Sequence, residues 1–132
     1  MATEVEKLIE GSFAAFNEGD WEAMERLYWP DAVTQAPEGW PEAESAKGWP
    51  AIRRQFERLK DSWAEDRFES RSKEEISDDC VLIHGVWHTR GKESGIEADL
   101  DIWVVAYARD DKLSRAEFYL DEAQARSAVS RQ

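Results

Sequence analysis

The hydrophobic period of this chain changes once, near Trp63, and that change constrains the fold more than any other feature. Ahead of it apolar residues recur at helical spacing. Val5, Leu8, Ile9, Phe13 and Phe16 form one stripe behind a capping box of Thr3 and Glu6, and Ile52, Phe56, Leu59 and Trp63 form another behind Pro50. Between them Gly19 ends a turn, Asp20 caps a second helix carrying Trp21, Met24, Leu27 and Tyr28 on one face, and Pro30 stops it. Beyond Trp63 the period is two. Strands are expected near residues 67–76, 80–90, 93–108 and 112–120, and Asp121-Glu122 opens a short C-terminal helix. Residues 37–50, rich in Pro, Gly, Glu and Trp, read as a long ordered loop.

The 132 residues suit a single domain, 1–132, with no internal repeat or low-complexity tract. A net charge of -12 argues against nucleic acid or an anionic membrane surface as partner, because Lys and Arg supply the attraction to phosphate. Cys80 is the lone cysteine, so no intrachain disulfide is available. The first residues, Met1-Ala2-Thr3-Glu4-Val5-Glu6, lack the basic and apolar regions of a signal peptide, and no apolar run approaches the roughly 18 residues of a membrane span. A soluble, cytoplasmic protein is expected.

A tight hairpin at Lys92-Glu93 would set Val81 opposite Val104, Ile83 opposite Ile102, Gly85 opposite Leu100 and Trp87 opposite Ala98, while His84 meets Asp101 and His88 meets Glu97. The next hairpin would add Ala116 and Phe118 to the apolar face, and Arg115, Glu117 and Tyr119 to the polar one. The sheet then has one dry side.

Several short motifs, in this order, resemble the SnoaL-like proteins of the nuclear transport factor 2 superfamily. They are Phe16-Asn17-Glu18-Gly19-Asp20-Trp21, Pro37-Glu38-Gly39-Trp40-Pro41-Glu42, Ala51-Ile52-Arg53-Arg54-Gln55-Phe56, Ser94-Gly95-Ile96-Glu97, and Asp111-Lys112-Leu113 leading to Glu117-Phe118-Tyr119-Leu120-Asp121. The resemblance implies an α+β fold, a cone-shaped curved antiparallel sheet packed on three N-terminal helices, with a short C-terminal helix. It implies a pocket on the concave face and a homodimer through the convex one, where Trp103, Val105, Tyr119 and Val86 would leave an aromatic patch. The scaffold hosts isomerases, cyclases, hydrolases and binders, so it does not fix a reaction. Where ketosteroid isomerases of this superfamily carry a base, a tyrosine and an acid, this chain matches Ala36, Ser12 and roughly Val104, which cannot perform that chemistry. Where SnoaL-type cyclases carry an acid or base, it offers Ala116 and Phe118, with Glu117 one residue away.

On this resemblance Tyr28, Trp40, Trp49, Phe56, Trp63, Trp87, Ile102 and Phe118 are the expected pocket lining for a small hydrophobic molecule. His84 with Asp101, or Glu117, is the fallback acid–base set of a cofactor-independent isomerase, cyclase or hydrolase, and a structural subunit with a filled pocket is the third reading. His84 and His88 stand roughly 13 Å apart along a strand, too far to share one metal ion. Their bland account, with Asp99 and Asp101, is a solvated or interfacial ionic row. Trp40-Pro41 and Trp49-Pro50 suit either a rigid aromatic lid or plugs of a small core. No nucleophile elbow, phosphate loop or dinucleotide fingerprint is present, so no cofactor is expected.

Overall fold

The computed structural model describes residues 3–37 and 45–130. Helices α1 (Thr3–Glu18) and α2 (Trp21–Glu25) precede strand β1 (Tyr28–Gln35) and the short β2 (Ser45–Lys47). Helix α3 (Trp49–Asp61) follows, then β3 (Glu65–Ser77), β4 (Cys80–Arg90), β5 (Glu97–Arg109), β6 (Lys112–Tyr119) and α4 (Glu122–Ser130). The strands form one sheet in the order β2-β1-β6-β5-β4-β3.

The sheet is mixed, not antiparallel, because β1 runs parallel to β6. The second helix ends before Leu27, and Tyr28 begins a strand where a helix end was expected. Pro30 is tolerated there because pairing with β6 is irregular between Tyr28 and Val33, so its missing N–H breaks no ladder bond. The preceding turn is as read from the sequence. Gly19 adopts φ 68°, and Asp20 Oδ1 accepts from the Ala23 N–H at 3.1 Å. Gly48, at φ 87°, then starts α3.

The β4–β5 register differs by two residues from the expected one: Ile83 faces Val104, Gly85 faces Ile102 and Trp87 faces Leu100. The cause is the connection, a wide loop closed by Gly91 N–H to Ile96 O and Gly95 N–H to Gly91 O rather than a tight turn at Lys92-Glu93. The β5–β6 register is likewise shifted, with Phe118 opposite Val104 and Tyr119 opposite Trp103. A two-residue shift preserves which side chains share a face, so the sorting into dry and polar sides survives. The left-handed residue of the β5–β6 turn is Asp110, at φ 58°.

The main core lies between the inner face of the sheet and helices α1 and α3, around Val5, Ile9, Ile52, Ile83, Val104 and Leu113, all at most 1% exposed. A second, smaller core lies on the other face, where α4 covers Cys80, Leu82 and Val105 with Ala125, while Trp103, Tyr107 and Tyr119 pack at its edge. Val105, expected in an exposed aromatic patch, is therefore fully buried, and Trp103 and Tyr119 are half-buried.

Gly85 fixes how closely β3 curls over the inner face. A Cβ there would lie 2.4 Å from Phe68 Cζ and 2.7 Å from the Glu69 carbonyl oxygen. Gly85→Ala must displace a packed ring and a strand, and we expect a loss of roughly 1–3 kcal/mol of stability, as for overpacking elsewhere. Urea unfolding of the variant measures it; a midpoint equal to wild type would contradict this packing.

Candidate functional site

A cavity of about 70 Å³ lies between the sheet and the helices. Helix α1 contributes Ser12, Phe13 and Phe16, α2 contributes Met24, and α3 contributes Gln55, Phe56 and Leu59. The sheet contributes Phe68, Trp87, Ile102 and Phe118, and Ala36 and Pro37 close one side beyond β1. Most of these side chains are buried; Gln55, Leu59 and Phe118 are partly exposed.

The wall is a run of ring contacts. Phe13 and Phe68 lie 4.3 Å apart between centroids, Phe16 meets Phe56 edge-on at 5.7 Å, and Phe56 meets Phe118 edge-on at 6.0 Å. Trp87 is held by its polar edge: its Nε1–H donates to Asp66 Oδ2 at 2.9 Å, and Lys60 Nζ donates to Asp66 Oδ1 at 2.8 Å. The Asp66 side chain is only 3% exposed, so this pairing offsets the cost of removing a carboxylate from water.

Among the described lining residues the polar side chains are those of Ser12 and Gln55, and the wall they share is almost wholly apolar. Ser12 Oγ is 2.9 Å from the Tyr28 hydroxyl, and the buried Thr34 hydroxyl donates to Gln55 Oε1 at 2.7 Å. Burial pushes the Tyr28 phenol up to about 12, against a smaller lowering by its hydrogen bond with Ser12, so it stays protonated at neutral pH.

Of the expected lining, Phe56, Trp87, Ile102 and Phe118 reach this cavity. Tyr28 and Trp49 do not line it; they pack on each other at 5.7 Å, and Tyr28 touches the wall through Ser12. Trp63 also stands outside the lining, edge-on to Trp87 at 5.6 Å. Trp40 falls outside the described residues. Ser12, Thr34, Gln55 and Asp66 were missed as site residues: Ser12 and Thr34 are lone polar residues in apolar surroundings, and Gln55 and Asp66 stand among charged neighbours that read as solvated.

His84, Asp101 and Glu117 stand on the opposite face of the sheet, and none lines the cavity. His84 is opposite Trp103, not Asp101, and stacks on that indole at 4.8 Å; its Nε2 still reaches Asp101 Oδ1 diagonally at 2.8 Å. Glu117 is 8% exposed and accepts from Arg115 and from the Tyr119 hydroxyl. Burial, and secondarily the Glu117 charge, raises the neighbouring Tyr107 phenol above its ordinary value.

His88 links three strands. Its Nε2 lies 3.0 Å from Glu69 Oε1 on β3 and its Nδ1 lies 2.8 Å from Asp99 Oδ1 on β5. Only the imidazolium can donate to both. The bond to Glu69, then that to Asp99, raises the His88 pKa above its ordinary 6.5, and the same His88 bond lowers Glu69 below its ordinary 4.5. A raised folded-state histidine contributes stability that is complete below its unfolded value and lost as pH rises through the folded one; the lowered Glu69 contributes stability lost only as pH falls through its own folded value. The thermal midpoint difference between wild type and His88→Gln should therefore be largest between these limits and shrink on the alkaline side. A difference constant from about pH 6 to about pH 9 would refute the linkage.

The chain belongs to the SnoaL-like domain family, whose model matches residues 9–116. Solved structures share the fold at low identity. TerC, co-crystallised with polyporic acid, is 22% identical with a TM-score of 0.80, over 97% of this chain and 99% of that one. A nuclear transport factor 2-like protein of unknown function from Burkholderia pseudomallei K96243 is 18% identical with a TM-score of 0.78, over 96% and 98% of the two chains. IdmH from Streptomyces antibioticus, a candidate polyketide cyclase, is 17% identical with a TM-score of 0.74, over 86% and 88%. No curated protein matches the chain.

Proposed function

We propose that this SnoaL-like protein binds a small, largely apolar molecule in the cone between helices and sheet. The observation that carries the reading is a wall of aromatic and aliphatic side chains interrupted, among the described residues, only by Ser12 and Gln55. Binding is favoured over acid–base catalysis because His84, Asp101 and Glu117 stand on the other face, and the described lining includes no carboxylate or imidazole to move a proton. Co-crystallisation of TerC with polyporic acid supports an organic occupant only by likeness of fold.

The present cavity, about 70 Å³, is smaller than the roughly 150 Å³ that accommodates benzene in an engineered protein core. A ring-sized occupant thus requires Leu59 or Phe118 to swing outward. Titration with toluene or naphthalene should give a saturable change in tryptophan fluorescence. Ile102→Trp, which fills the cavity, should weaken binding by about tenfold or more, equivalent to about 1.4 kcal/mol, while Leu120→Ala, at an exposed position, and Asp101→Asn, on the outer face, leave it unchanged. The absence of any plateau would favour the structural-subunit reading, in which the protein's own side chains are the pocket's only occupants.

Homodimerisation is carried as a companion proposal, supported by the strip of His84, Val86 and Trp103 that is half-buried on the outer face. Sedimentation should show a species of twice the chain mass. Monomer alone at tens of micromolar would remove the proposal.

A further inference from the structure

Counting the Trp87 indole with Ser12 and Gln55, three of the described lining side chains carry a polar group, yet the surface turned to the cavity is almost wholly carbon. Each polar group is met from behind the wall. Ser12 Oγ lies 2.9 Å from the Tyr28 hydroxyl, and the Gln55 amide lies 2.7 Å from the Thr34 hydroxyl and has a further partner. The Trp87 Nε1–H donates to Asp66 Oδ2 at 2.9 Å. Neither Tyr28, Thr34 nor Asp66 is itself part of the lining.

Asp66 is the costliest of these partners to keep in place. Its side chain is 3% exposed, and Lys60, in the last turn of α3, offsets the charge at 2.8 Å. An apolar side chain would fill the position with no charge to offset; what the carboxylate adds is an acceptor for the indole. An indole has one N–H donor and no acceptor, so holding it by that edge leaves carbon for the rest of the ring. Turning the ring over would bury the N–H against a wall of carbon without a partner.

We propose that the cavity takes a hydrocarbon group without heteroatoms, an unsubstituted aryl or alkyl end of a ligand, and that Asp66 is a positioning residue that enforces this through Trp87. This rests on the binding reading above and adds to it the chemical class of the buried part of the occupant. A hydroxyl, carbonyl or ether oxygen enclosed there would lose its water and gain no partner from the wall.

Ethylbenzene and anisole test this, since anisole has an ether oxygen where ethylbenzene has a methylene. Chemical-shift titrations supply the dissociation constants. An alkane-like wall should prefer ethylbenzene by the factor with which the pair partitions between cyclohexane and water, measured alongside. A wild-type preference about fivefold or more below that factor would reveal a hydrogen bond to the ether and overturn the inference, leaving the binding reading standing. Asp66→Leu combined with Lys60→Met removes the acceptor without leaving an unpaired ammonium. In that protein the preference should fall about two- to tenfold, the range of one neutral hydrogen bond, with the Trp87 indole N–H resonance moving downfield on anisole binding. The companion protein with Asp66→Asn in place of Asp66→Leu keeps an acceptor oxygen and should restore the preference. Adding Trp87→Phe to the Asp66→Leu protein removes the N–H and should restore it too. No fall in the Asp66→Leu protein, or a fall that persists with Trp87→Phe, would overturn the role of Asp66. If ethylbenzene does not bind wild type, the binding reading fails and this inference with it.

Discussion

The contact on which the rest depends is Phe68 lying over Gly85. The ring occupies space that any Cβ at position 85 would claim, which lets β3 approach the inner face of β4 closely. Asn17, at the end of α1, secures the same point from the helix side. Its Nδ2 donates to the Phe68 carbonyl at 3.0 Å and its Oδ1 accepts from the Phe68 N–H at 2.8 Å, as a neighbouring strand would. Just beyond, the β3–β4 register is irregular between Ser70 and Ser72, and such irregularities bend a strand and increase its twist. Helix position, strand curl and the Phe13–Phe68 wall of the cavity thus follow from one missing side chain and one amide.

What was legible in the sequence follows from what periodicity encodes. Helix α3 and the first helix were readable because their apolar stripes repeat over several turns. The sides of β4, β5 and β6 were readable because a period of two assigns faces whatever the register. Register itself was not, since it depends on the width of the 91–96 loop, where the Gly95 conformation at φ 66° replaces a tight turn. The parallel β1–β6 pairing was equally hidden. Leu27 and Tyr28 continue a helical pattern, yet the Leu27 carbonyl accepts from the Leu113 N–H at 2.8 Å and Tyr28 pairs with Leu113 at the start of the strand.

The site divides in the same way. Phe56, Trp87, Ile102 and Phe118 were recoverable because their faces were. Tyr28, Trp49 and Trp63 were not, because a large aromatic is equally suited to lining a cavity and to packing behind the lining, and only the placement of helices decides. Thr34 carried a faint signal, standing between Ala32 and Ala36 on an apolar face, where a hydroxyl implies a buried partner. Asp66 carried no comparable sign, because its role depends on β3 bringing it within reach of both Lys60 and Trp87.

The two faces of the sheet divide the polar chemistry between them. The outer face holds ionic pairs that water and neighbouring charges can support, among them His84 with Asp101 and His88 with Glu69 and Asp99. On the cavity side, among the described residues, Lys60 on α3 is paired with the buried Asp66, whose other oxygen receives the Trp87 indole N–H. Among the described lining residues no side chain carries a charge, and the chain's net charge of -12 repels anions at long range. The described wall is thus apolar on the cavity side, while the charged side chains of the sheet gather on its outer face.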